Sequence, residues 1–221
     1  MAVTPGRTGR VSATGSSQGT STHPSRVVPP GPLPADSLRL AQEAAVQLGW
    51  GGIVLPEMLI LGRKVHLVVR LRTDVHAERI ATGIGPVTDR TAVATWTWTE
   101  LAASAPGSAV EIVGVLAVAR HWRTALARAV PFARYHQAAM VLPRSVAMSH
   151  DYVNNCLPRA RAYGLAILTA NDSVDEVPDN ALVERDVAAA PDRVILAVDA
   201  ISRWINELAY EQLLSTAEVA V

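Results

Sequence analysis

Residues Ala109 to Pro143 constrain this chain more than any other stretch: A-V-E-I-V-G-V-L-A-V-A-R-H-W-R-T-A-L-A-R-A-V-P-F-A-R-Y-H-Q-A-A-M-V-L-P. Apolar runs at both ends predict buried strands at 109–116 and 137–142, and the arginine-bearing segment between them predicts a helix over about 118–134. Such a strand–helix–strand crossover belongs to a sheet with helices packed on it. Within the first strand stands one acid, Glu111. A carboxylate in an apolar strand is costly to bury unless it is paired, hydrogen-bonded or bound to metal, so Glu111 asks for a chemical reason.

The rest of the chain supplies the frame. Residues 1–34 are rich in Gly, Ser, Thr and Pro and predict a disordered tail. Residues 35–221 form one domain. Asp36 or Ser37 caps a helix to about Leu48, with Gly49 ending it. The run I-V-L-P-E-M-L-I-L reads as a strand with Pro56 near its middle, marking an edge or a bulge. Gly62-Arg63 makes a hairpin turn into K-V-H-L-V-V-R-L-R, whose alternation puts Lys64, His66, Val68 and Arg70 on one face.

Residues 73–107 read as an insertion, within which T-A-V-A-T-W-T-W-T-E-L alternates like a strand carrying Trp96 and Trp98 on one face. After Pro143 a polar connection holds a short helix, and Y-G-L-A-I-L-T-A is a further buried strand. Residues 171–180 form a loop, and A-L-V-E-R a short strand. Pro191 opens a long amphipathic C-terminal helix with Val194, Val198, Ile201, Ile205 and Leu208 at helical spacing and Trp204 and Tyr210 as anchors. The expected fold is α/β, a mixed central sheet flanked by helices.

Charge and cysteine usage narrow the chemistry. Twenty basic and twenty acidic residues give a formal net charge of zero, which disfavours a strongly basic nucleic-acid clamp. Arg7, Arg10 and Arg26 lie in an acid-free tail, so removing those three charges leaves the domain at minus three. Lys64 is the only lysine, and any mechanism needing one must use it. A single cysteine, Cys156, excludes a disulfide framework and a cysteine-based zinc cage. Without a signal-like or membrane-spanning apolar run, a soluble cytoplasmic protein is expected. His76-Ala-Glu78 lacks the P-C-x-x-C that a zinc deaminase needs, and Gly83-x-Gly85 is too short for a dinucleotide fingerprint.

The order helix, hairpin, acid-bearing strand, arginine-rich crossover helix and strand ending in Leu-Pro resembles the PD-(D/E)XK restriction-endonuclease-like superfamily, in particular its small bacterial DNA-repair-associated members. The matching parts are V-L-P-E-M-L-I-L-G-R-K-V-H-L at 54–67, E-I-V at 111–113, M-V-L-P at 140–143 and L-P-R-A-R-A-Y-G-L-A-I-L at 157–168. The resemblance implies an aspartate on the second strand and an acid-x-lysine pair on the third, holding Mg²⁺ to polarise a scissile phosphate. In this sequence His66 stands at the aspartate position and Val113 at the lysine position. Glu111 alone keeps the pattern.

A degenerate motif on that fold implies a nuclease-fold protein with an eroded active site, acting as a nucleic-acid-associated or protein-interaction module without a cofactor. A second reading is an active Mg²⁺-dependent DNA nuclease with migrated residues: Glu57, Lys64, His66 and Glu111 as the catalytic set, Glu111 as metal ligand, and Glu43 as a further carboxylate. A third is a structural or regulatory oligomer joined through the tryptophan segment and the C-terminal helix. Arg120, Arg123 and Arg134 share one side of the expected crossover helix, with His121 beside them and Arg128 turned away, and are the candidates for phosphate contact. The expected partners are DNA, held weakly, or a protein, including a second copy of this chain.

Overall fold

The helix α1 spans Ser37–Leu48 because its ends are closed and one stripe is small and apolar. Asp36 accepts from the Arg39 N–H at 3.0 Å, and Gly49, at φ 69°, ends the helix in a left-handed turn. Leu40, Ala41, Ala44 and Ala45 are buried against the sheet. The computed structural model describes residues 31–171, 183–187 and 199–219.

Seven strands make the described sheet: β1 Ile53–Val54, β2 Met58–Ile60, β3 Arg63–Leu71, β4 Val110–Val118, β5 Gln137–Pro143, β6 Ala166–Ala170 and β7 Val183–Val187. The order is β1-β3-β4-β5-β6-β7, with β2 also on β3. β3–β4 and β6–β7 pair antiparallel, while β4–β5 and β5–β6 pair parallel, so the sheet is mixed. β1 and β2 are one edge strand broken at Pro56, which has no N–H to give to the ladder. Leu61 at φ 51° and Gly62 at φ 69° form the turn from β2 into β3, where the sequence places it.

Helices cover both faces. On one, α1 and Trp50 lie over Val68, Leu116, Ala139, Val141 and Leu168. Gly114 is required there, because a Cβ on it would stand 2.3 Å from the Trp50 ring, whose N–H donates to Gln137 at 2.9 Å. On the other face lie α4 Trp122–Ala129, α6 Leu157–Ala162 and α7 Ala200–Val219, packed on Leu67, Val115, Met140 and Ile167. Each such large aliphatic side chain contributes about 1.5–3 kcal/mol when fully buried. Among the described residues no helix is long and apolar enough to cross a membrane.

The structure corrects three expectations. Residues 90–104 are not a strand: α3 Arg90–Thr95 is capped by Asp89, and a 3-10 turn follows at Ala102–Ser104. The threonine alternation reflects local bonding, since the Thr95 and Thr97 hydroxyls donate to carbonyls three residues back. Trp96 therefore ends α3 rather than sharing a strand face with the exposed Trp98. The crossover helix is shorter than 118–134, because β4 continues to Val118 and Pro131 opens a 3-10 turn at Val130–Phe132. Arg120, His121 and Arg134 are thus off the helix.

After β5 the connection forms α5 Arg144–Ala147, a π-helical turn at Tyr152–Cys156, then α6. The expected loop beyond Asn171, Ala181-Leu182 of the short strand, and Pro191, Val194 and Val198 of the C-terminal helix lie outside the described residues.

Residues 73–107 are tied to α7 by polar bonds. Arg79 on α2 (Thr73–Ala81) and Glu207 on α7 are both buried and meet in a two-pronged pair at 2.7 and 2.8 Å. The Arg79 guanidinium also donates to the carbonyls of Ile84, Gly85 and Gly107, and Glu207 accepts the Val87 N–H. Tyr210 lies under Arg79 at 4.9 Å and bonds His76 at 2.8 Å, while Trp204 donates to the Thr88 carbonyl. Arg79→Ala strands a buried carboxylate and is expected to cost about 3–5 kcal/mol. A urea unfolding midpoint equal to that of the parent chain would refute this.

Candidate functional site

The one acid of β4 is at the surface. Glu111 stands opposite Arg70 in the β3–β4 ladder and accepts from its guanidinium at 3.3 Å, with both side chains more than half exposed. The expected burial cost is therefore absent, and an exposed pair of this kind contributes about 0.2–1 kcal/mol. Val113, at the lysine position of the resemblance, is the extra residue of a β-bulge: Val69 faces Ile112 and Val68 faces Gly114. Its side chain packs towards the α1 side.

Three other candidates gather at the opposite end of β3. The Glu57 carboxylate lies 3.3 Å from the Lys64 ammonium and 3.8 Å from the Arg128 guanidinium. His66 is 1% exposed, and its Nδ1 is 3.0 Å from the Leu55 carbonyl beside Pro56. A carbonyl only accepts, so Nδ1 carries the proton and the buried, unpartnered Nε2 is bare. Burial lowers the pKa of His66; the Leu55 bond and then the charges of Glu57 and Asp36 oppose this.

Glu111 does not join them. Along β3 the step from Lys64 to Arg70, its partner, covers roughly 20 Å at about 3.3 Å per residue. His66 faces Leu116 on β4, so no acid sits across from it. Glu43 is on α1, paired with Arg39 at 3.7 Å. Among the described residues no group of three or more His, Cys, Asp or Glu side chains is arranged to hold a metal ion. Mg²⁺ needs several oxygen ligands at one point, and with its nearest carboxylates engaged by cations and spread along the strand, this donor set does not fit it.

The arginines divide among separate places. Arg120 donates to the Gly31 carbonyl at 3.2 Å, Arg134 lies 5.8 Å from the Tyr135 ring, and only Arg123 and Arg128 are on α4. Between α4 and the β2–β3 hairpin runs an open groove of about 530 Å³, lined by Leu59, Arg63, Lys64, Arg123, Thr124 and Arg128 among others. Arg128 is fixed there by donating to the Val118 carbonyl at 3.0 Å, while Arg123 pairs with Asp151 at 3.0 Å.

Asp151 was missed in the sequence. The Trp122 indole N–H donates to it at 2.8 Å, and with Asn155 and Arg123 this holds its carboxyl below the usual carboxylate range. Arg123 and Arg159 both stack on Trp122, at 4.4 and 5.5 Å. The available signal was H-W-R opening the crossover helix, since an indole at a helix start needs an acceptor. Nearby, Tyr152 donates to Asp186, and burial with that contact raises its pKa well above the usual phenol range. Burial, then the charges of Asp151 and Asp186, pushes the Cys156 thiol up to about 12, so it is no nucleophile.

No protein-family model matches the chain, and neither a curated protein nor a solved structure does. The site therefore stands on its own geometry.

Two buried histidines, His66 in the site and His136 outside it, make the stability of the fold depend on pH. Burial lowers His136 from 6.5 to about 4, and its Nε2 has no partner. Between those values the unfolded chain binds more protons than the folded one, so stability rises with pH. The contribution is fully present above 6.5 and is lost as pH falls towards about 4; His66 acts in the same direction. Thermal midpoints should drop on acidification across this window, and less steeply in His136→Leu. Parallel curves for the two proteins would refute the assignment.

Proposed function

We propose that this chain is a nucleic-acid-associated module on a nuclease-like α/β fold of the PD-(D/E)XK type, with an eroded metal site. The order of elements supports the fold: α1, the β1/β2–β3 hairpin, acid-bearing β4, crossover helix α4 and parallel β5 follow the sequence that the resemblance implies. The β3–β4 register is the observation that carries the erosion. It pairs Glu111 with Arg70 and leaves Glu57, Lys64 and His66 at the far end of the same strand.

The chemistry left at that far end is recognition. Lys64, Arg63, Arg123 and Arg128 present cations on a sheet-and-helix frame, and among the described residues no carboxylate cluster stands with them to hold a metal. With no net charge on the chain, affinity for DNA is modest and depends on counterion release. Incubation with plasmid or single-stranded DNA and Mg²⁺ or Mn²⁺ is expected to leave both intact, and cleavage that Glu111→Ala abolishes would overturn the eroded-site reading. In a gel shift the full chain should retard DNA at low salt and release it as salt rises; no retardation at low salt would remove the nucleic-acid part.

A further inference from the structure

We infer that the groove between the β2–β3 hairpin and α4 is a phosphate-binding site in which Glu57 is a resident counterion that an incoming phosphate displaces. The inference rests on the nucleic-acid reading only for the source of the phosphate, a nucleic-acid backbone; a free phosphorylated molecule shares the same chemistry.

Four cationic side chains, Arg63, Lys64, Arg123 and Arg128, converge on this one opening. Against them stand the two acids Glu57 and Asp151, so the local excess is two positive charges (four minus two) on a chain whose total is zero. The two acids differ in kind. Asp151 is held by Trp122 and Asn155 as well as Arg123, and stays in place as part of the wall. Glu57 has only cations for partners in the described contacts, Lys64 at 3.3 Å and Arg128 at 3.8 Å, both beyond the 2.7–2.9 Å of a tight charge-assisted bond. A carboxylate bridging two cations loosely occupies the place of an anion with more oxygens to offer. Phosphate supplies such oxygens and takes bidentate bonds from guanidinium groups.

The mechanical setting favours the same ligand. Arg128 is anchored through Val118, and Lys64 and Arg63 project from the first residues of a nine-residue strand. Lys64 and Arg123 are 60% and 67% exposed, so their ammonium and guanidinium heads reach solvent without a conformational change. An opening of about 530 Å³ also exceeds what one phosphate needs, leaving room for a sugar or a second phosphate.

The test uses the full chain with two probes, a short single-stranded DNA oligonucleotide and inorganic pyrophosphate, titrated at several salt concentrations. Replacing Arg63 and Lys64 together by Ala is expected to lower the salt slope for single-stranded DNA by about 1.4 and weaken pyrophosphate binding. Glu57→Gln is expected to tighten both probes about two- to fivefold, a gain that misfolding does not produce. DNA binding unchanged by all three substitutions would overturn the groove while the module reading stands. Pyrophosphate binding that follows the substitutions, with no DNA binding, supports the phosphate site and removes the nucleic-acid source. Weaker binding in Glu57→Gln overturns the counterion role, and failure of the parent chain to bind either probe overturns both.

Discussion

The pairing of β3 with β4 is the constraint from which the rest of this structure follows. β3 is bonded to the β1/β2 edge along one side and to β4 along the other, and β4 then carries the parallel strands that the crossover helix connects. One residue, Val113, decides how the two halves of that ladder relate. By bulging, it shifts the phase of β4, so that Leu116 and Val118 face α1 while Val110 and Ile112, nearer the strand's start, face α7. A bulge is a common device near functional sites, and this one sits at the lysine position of the resemblance, between the acid end of the strand and the basic end.

That separation gives the two ends of β3 different characters. At one, Arg70 and Glu111 neutralise each other in solvent. At the other, Pro56 breaks the edge strand, leaving the Leu55 carbonyl to the buried His66, and starting a short segment on which Glu57 faces Lys64 and Arg128. The proline thus acts on packing and electrostatics together. The Leu55 N–H still donates to the Leu67 carbonyl of β3 at 2.9 Å, so it is the Leu55 carbonyl alone that the imidazole satisfies.

Much of the scaffold was legible because its signals are local. Asp36 and Gly49 bracket α1, Gly62 makes the turn, and the apolar runs of β4, β5 and β6 declare buried strands. The tryptophan segment misled because alternation of threonine with apolar residues is a β pattern, whereas Asp89 as a cap and threonine hydroxyls bonding backward favour helix and turns. At the site, residue types were legible and their convergence was not. Spacing along β3 put Lys64, His66 and Arg70 on one face, but face says nothing of distance along the strand, and the register that pairs Arg70 with Glu111 depends on a bulge that no local pattern marks. Asp151 was hidden for the same reason, since its meeting with Trp122 spans 29 positions through the turns after β5.

The Arg79–Glu207 pair joins residues 128 positions apart, and the three carbonyls and one N–H around it come from the loops that leave α2 and approach β4. Closing a loop of that length carries an entropic cost before any contact repays it. During synthesis from the N-terminus, Arg79 emerges long before its carboxylate exists. Without α7 docked, the buried Arg79 guanidinium lacks its counter-charge, so the order of the residues around α2 depends on that helix. The helix α7 is thereby the keystone of residues 76–88: Trp204, Glu207 and Tyr210, within two turns of one another, supply the partners of Thr88, Arg79, Val87 and His76.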